Sequence, residues 1–122
     1  MFTTMGFNWP RLKGDKGNID GYDWLIMDSG VMTLAYVRIP ENHKLFHREE
    51  WRSVSDERVR DLRVNGGCTY WSYLDNDSSD PRQGCWLGWD YGHSRNLNAE
   101  LTREEVMEDV KSAIDFLEKT NC

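Results

Sequence analysis

The sequence predicts an α+β protein, a twisted antiparallel sheet of about four or five strands packed against a C-terminal helix. Three observations carry that expectation. Short apolar runs rich in β-branched and aromatic residues recur between residues 23 and 90, separated by polar or glycine-bearing turns. A capping box opens a stretch with helical apolar spacing at the carboxyl end. Six Trp, five Tyr and four Phe in 122 residues give bulk to a core although only 39% of the chain is hydrophobic, and that length suits a single domain spanning residues 1–122.

The elements follow in order. Residues 13–21 (KGDKGNIDG) carry three glycines and read as a loop. Residues 23–27 and 31–39 are apolar and flank Asp28, Ser29 and Gly30, which is turn chemistry for an antiparallel hairpin. Pro40 ends the second strand, and residues 41–50 form a polar loop pinned by Leu45 and Phe46, with His43 and His47 exposed. Ser55 is placed to cap a short helix running to Leu62, with Val59 and Leu62 on its buried face. Residues 62–74 (LRVNGGCTYWSYL) read as a strand interrupted at Gly66 and Gly67, and residues 85–90 (CWLGWD) as its hairpin partner across the polar turn 75–84. Thr102 and Glu105 form the capping box, with Leu101 able to staple to Val106. Val106, Val110, Ala113, Ile114 and Leu117 then recur every three or four residues, one apolar stripe against a sheet.

A formal charge of -6 and the lack of a basic stripe argue against general nucleic-acid binding. No apolar run approaches the length of a membrane span, and the amino-terminal residues lack the pattern of a signal peptide, so a cytoplasmic location is expected. Cys68, Cys85 and Cys122 lack the spacing of a zinc knuckle or a disulfide framework and read as free thiols.

Chemistry concentrates in residues 64–96. Gly66 and Gly67 permit conformations that turn consecutive amides toward an anion, against the plainer reading of a β-bulge. Asp90 and His93 lie three residues apart at a strand end. The carboxylate is placed to orient the imidazole for proton transfer, to share a metal with it, or to hold the turn by a local hydrogen bond. Tyr70, Trp71, Tyr73, Trp86, Trp89 and Tyr91 alternate between faces, so some of them must lie outside the core, suited to stacking on a base or to a protein contact. Arg95 is placed to offer a guanidinium fork to phosphate beside His93, with Arg82 and Lys44 the other nearby cations.

The segments VNGGCTY (64–70) and WLGWDYGHSRN (86–96), with YVRIPENHKLF (36–46) upstream, resemble small bacteriophage and prophage proteins of unassigned function. Those proteins carry a VHGG-T-Y pattern and a WW-GFD-AH-GD pattern, and the resemblance extends over residues 36–118. The family's histidine before the paired glycines is Asn65 here, and its final aspartate is Asn96. Two ionisable groups have become neutral amides, which favours binding over hydrolysis.

The setting of such proteins implies counter-defence by sequestering a small nucleotide-derived immune signal. The alternatives are an inhibitor that docks on a host defence protein and, further off, a small nucleotide hydrolase. The expected ligand-binding residues are Asn65, Gly66, Gly67, Tyr70, Trp71, Trp89, Asp90, His93 and Arg95, with Trp71 or Trp89 stacking on a base. No catalytic residue, metal or cofactor is expected. The partner is a nucleotide-like ligand or a host protein in the host cytoplasm, and homo-oligomerisation is left open.

Overall fold

A computed structural model of the chain describes residues 15–28, 32–75, 80–92 and 102–121. The strands β1 (Lys16–Ile19), β2 (Tyr22–Asp28), β3 (Thr33–Arg38), β4 (Tyr70–Leu74) and β5 (Gly84–Asp90) precede one helix, α1 (Arg103–Thr120). They form a five-stranded sheet in the order β1-β2-β3-β5-β4, every neighbouring pair antiparallel. The α+β class and the strand number expected from the sequence are therefore those of the molecule.

β1 is a strand where a loop is expected. Asp20 and Gly21 both have positive φ, 53° and 89°, and join the paired residues Ile19 and Tyr22 by a two-residue turn. Such a turn matches the twist of antiparallel strands and is built best from Asp-Gly. Asn18 fastens it by accepting the Gly21 N–H at 3.1 Å.

Alternation assigns the side chains to two faces. One face presents Trp24, Ile26, Ala35, Val37, Trp71, Cys85, Leu87 and Trp89, and α1 lies across it, packing against β3 with Val106, Val110, Ala113, Ile114 and Leu117. Both halves of the capping box are formed at Thr102 and Glu105. Leu101 lies outside the described residues. The opposite face carries a smaller cluster of Leu25, Met27, Tyr36 and Trp86, with Leu34 and Tyr70 against it.

Three local expectations are corrected. The helix at 55–62 is a series of turns, closed by N–H bonds from Val59 to Asp56 O and from Leu62 to Val59 O. Ser53 Oγ and Asp56 Oδ1 accept backbone N–H groups two residues on, which competes with helix formation. Val59 and Leu62 are nevertheless buried. The strand expected from residue 62 begins only at Tyr70, because Gly66 and Gly67, with φ of 75° and 79°, turn the chain, and the Gly67 N–H closes that turn on Val64 O at 2.9 Å.

His43 and His47 are buried rather than exposed, at 5% and 8% of their surface. His43 donates through Nε2 to the Leu117 carbonyl at 2.7 Å and accepts the Leu45 N–H at Nδ1, so it ties loop 41–49 to the carboxyl end of α1. The Leu117 carbonyl also accepts the Asn121 N–H at 3.1 Å, so His43 adds a second donor at the helix end.

Candidate functional site

Among the described residues, those expected to form a site do not meet in an open cleft. The loop of Asn65, Gly66 and Gly67 does face an anion, but an internal one, since the Asn65 N–H donates to Asp109 Oδ2 on α1 at 3.2 Å. The same oxygen accepts the Tyr91 hydroxyl at 2.6 Å, and that hydroxyl accepts the Trp89 indole N–H at 2.9 Å. A chain of hydrogen bonds thus runs from the core through Tyr91 to the helix and the diglycine loop. Its effect is to fix the loop on the helix.

Trp71 and Trp89 are each 1% exposed, and Trp71 spends its indole N–H on Leu45 O at 3.2 Å. Neither ring has a face open to a base, so the expectation of stacking there is corrected. Burying a large aromatic ring under a helix and a loop releases more free energy than leaving it in water, and the alternation of β4 and β5 turns both rings to the helix side. Tyr70 is half-buried on the other face, edge-on to Tyr36 at 5.1 Å. Asp90 is half-buried and accepts the Gly92 N–H at 3.1 Å. His93 and Arg95 lie outside the described residues.

Of the nearby cations, Arg82 is committed internally. Its side chain is 13% exposed and holds Asp80 through two bonds of 3.0 and 2.7 Å. Its guanidinium lies 5.3 Å from the Tyr36 ring centre and 5.2 Å from that of Tyr70, and it donates to the Tyr36 hydroxyl at 3.1 Å. Burial opposes its charge, but Asp80 and the two phenols hold its pKa above the ordinary value. Burial pushes the Tyr36 phenol up to about 12 in spite of Arg82. Gly88 makes the cluster possible, because a Cβ there would lie 2.4 Å from Tyr36 Cδ1.

Neither cysteine among the described residues offers a nucleophile. Cys68 and Cys85 are free and buried, and burial pushes both thiols up. Among the described residues no group of three or more His, Cys, Asp or Glu side chains is arranged to hold a metal.

A different region has the form of a binding site. Two adjoining clefts, of about 390 and 660 Å³, share Asp23, Arg38 and Gln83 as lining residues. These are ordinary dimensions for small-molecule sites. Phe46, Tyr73 and Asp75 line the smaller cleft, whereas Lys16, Trp24 and Trp86 line the larger. Arg38 ends β3, and the sheet register sets it opposite Trp86, on the face away from α1.

Its guanidinium rests against Gly84, where a Cβ would lie 3.0 Å from Nε and Nη2. Gly84 has a φ of 101°, so glycine serves both the backbone and the seat of the arginine. Among the described residues Arg38 pairs with Asp23 at 3.6 Å, an ion pair longer than a hydrogen bond, and its side chain is half exposed. Arg48, Arg58, Arg82 and Arg103, by contrast, each hold a carboxylate at 2.7–2.8 Å.

Sequence reasoning missed this trough although two signals for it exist. Leu34, Tyr36 and Arg38 alternate onto one face, and a glycine opens the neighbouring strand. Compared with family models, curated proteins and solved structures, the chain has no match in any of the three. No helix among the described residues is long and apolar enough to cross a membrane.

Proposed function

We propose that the protein binds, without cleaving, a small anionic ligand in the trough around Arg38, and that in a phage setting it sequesters a nucleotide-derived immune signal in the host cytoplasm. The observation that carries this reading is Arg38 itself, a half-exposed guanidinium seated on Gly84 in a cleft, whose ion pair with Asp23 at 3.6 Å is longer than a hydrogen bond. A guanidinium fork offers paired donors to phosphate or carboxylate. The reading departs from the expectation in place, since the cation is Arg38 and the nearest available rings are Phe46 and Tyr73. It keeps the expected ligand class.

The test is to titrate the full chain with cyclic nucleotides and ADP-ribose, then denature the complex and identify what is released. Intact ligand supports sequestration, and cleaved product makes the protein a hydrolase. Arg38→Ala is expected to weaken binding by roughly 10- to 100-fold, the loss of one charge-assisted contact.

A second reading, docking on a host defence protein, draws on Trp51. Its side chain is 60% exposed and sits edge-on to Tyr70 at 5.9 Å. Exposed tryptophan beside tyrosine is typical of interface anchors. A stoichiometric protein partner that is lost with Trp51→Ala and kept with Arg38→Ala would replace the first reading with this one.

A further inference from the structure

The trough is electrically uneven along its length. On one side of Arg38 the larger cleft adds a second cation, Lys16, with the apolar surfaces of Leu25, Pro81 and Trp86. On the other side the smaller cleft holds two further carboxylates, Glu41 and Asp75, beside Phe46 and Tyr73. These acids are not equivalent. Glu41 is taken by Arg48 at 2.8 Å, and Asp23, at the junction of the clefts, accepts the Asn18 amide at 2.9 Å. Asp75 makes no such bond among the described residues, and it lies in the same cleft as two half-buried rings.

A ligand that fits both ends carries an anion at one end and a flat ring with N–H donors at the other. Two parallel donors satisfy a carboxylate best, and among nucleobases guanine presents them, on N1 and on its 2-amino group. Adenine offers an acceptor at the corresponding N1 position, which a carboxylate repels. Hypoxanthine keeps N1–H and lacks the amino group.

We infer that the trough selects a guanine nucleotide, with its phosphate at Arg38 and Lys16 and its base beside Phe46 and Tyr73, read by the Asp75 carboxylate. This deepens the binding reading and rests on it. Arg48 sharpens the choice of seat, because its guanidinium already lies 4.9 Å from the Phe46 ring centre and 5.9 Å from that of Tyr73. It keeps that end from being purely acidic and steadies both rings.

Calorimetric titration of the full chain with GMP, IMP, AMP and inorganic pyrophosphate tests the assignment. GMP should bind about tenfold or more tightly than IMP, the worth of one hydrogen bond to a charged acceptor, with AMP weaker still. Asp75→Asn should bring GMP and IMP to within about twofold of each other without weakening pyrophosphate, whose binding loses no contact and is relieved of a like charge. Arg38→Ala should lose pyrophosphate. Binding of pyrophosphate through Arg38 with GMP, IMP and AMP treated alike, or a GMP preference that survives Asp75→Asn, overturns the guanine assignment and leaves the anion site standing. A chain that binds neither GMP nor pyrophosphate overturns both.

Discussion

The two faces of the sheet are built on different principles. The face under α1 is filled by aliphatic and aromatic side chains whose burial needs no partner beyond shape, with Val37, Leu87, Val110, Ala113 and Leu117 all fully enclosed. The other face is smaller and is organised around Arg82, two tyrosines, Asp80 and a glycine at position 88. On the first face apolar contact sets the stability. On the second a charge must be matched before the rings can close over it, so geometry and pairing matter more than volume. The trough around Arg38 runs from the end of this second face to Phe46 and Tyr73, which pack against the first, and matching along it is incomplete.

Truncation should separate the faces. Leu117→Ala removes a fully buried side chain from the helix side and should cost about 2–5 kcal/mol, read by urea unfolding. On the opposite face, Asp80→Ala strands the Arg82 guanidinium between the tyrosines. The pair is 13% and 18% exposed, so the loss should be about 2–3 kcal/mol, at or below the low end for a fully buried pair. Arg82→Met takes the same partner from the Asp80 carboxylate, so only the double variant Asp80→Ala/Arg82→Met, which removes both charges, should cost less than Asp80→Ala alone. If the double variant costs as much as the two single losses added together, pairing does not organise that face.

Gly88→Ala drives a methyl into the Tyr36 ring and should cost about 1–3 kcal/mol, with the Tyr36→Ala background relieving part of it. Thr102→Ala removes the side chain that accepts the Glu105 N–H and should cost about 1 kcal/mol.

The smallest effect expected is one of pH. Burial, with Arg52 and Arg58 nearby and only Glu49 opposing them, pulls His47 below its ordinary pKa. His47 Nδ1 accepts the Glu49 N–H at 3.0 Å, so the ring is neutral with its proton on Nε2, a buried atom without a hydrogen-bond partner. Above about pH 6.5 the ring is neutral in folded and unfolded chains alike and its contribution is level. As pH falls below that value the unfolded chain takes up the proton first, so stability falls. His47→Gln should flatten the dependence between pH 7 and 5, and an unchanged slope in that variant would assign it to another group.

The sequence was most legible where one signal dominated. Periodicity placed every buried residue of α1, and the Thr102 and Glu105 pair located its start. β1 was hidden because its glycine count outweighed the Asp20-Gly21 dipeptide, which on its own is a strong hairpin signal. The turns at 55–62 were read as helix because Val59 and Leu62 have helical spacing, while the local bonds of Ser53 and Asp56 are decided only in three dimensions.

The diglycine was expected to turn its own amides toward an anion, whereas the amide that meets a carboxylate is that of Asn65, and the Gly67 N–H closes on Val64 O. That the anion is Asp109, 44 residues later in the chain, is a tertiary fact that no local pattern carries. The aromatic excess was misassigned for the same reason, since alternation divides Trp71 from Tyr70 without saying which side a helix will cover. Arg38 was passed over because its meaning comes from Gly84 on a neighbouring strand.

The tryptophans also make the molecule its own optical reporter. Trp24, Trp71, Trp86 and Trp89 are shielded from water, whereas Trp51 stands 60% exposed beside Tyr70. With Trp9, which lies outside the described residues, replaced by Phe, a soluble quencher should remove the Trp51 emission first and leave that of the shielded four. Contact at the Tyr70 side then reads out as protection of a single indole, and the trough around Arg38 is followed independently by calorimetry.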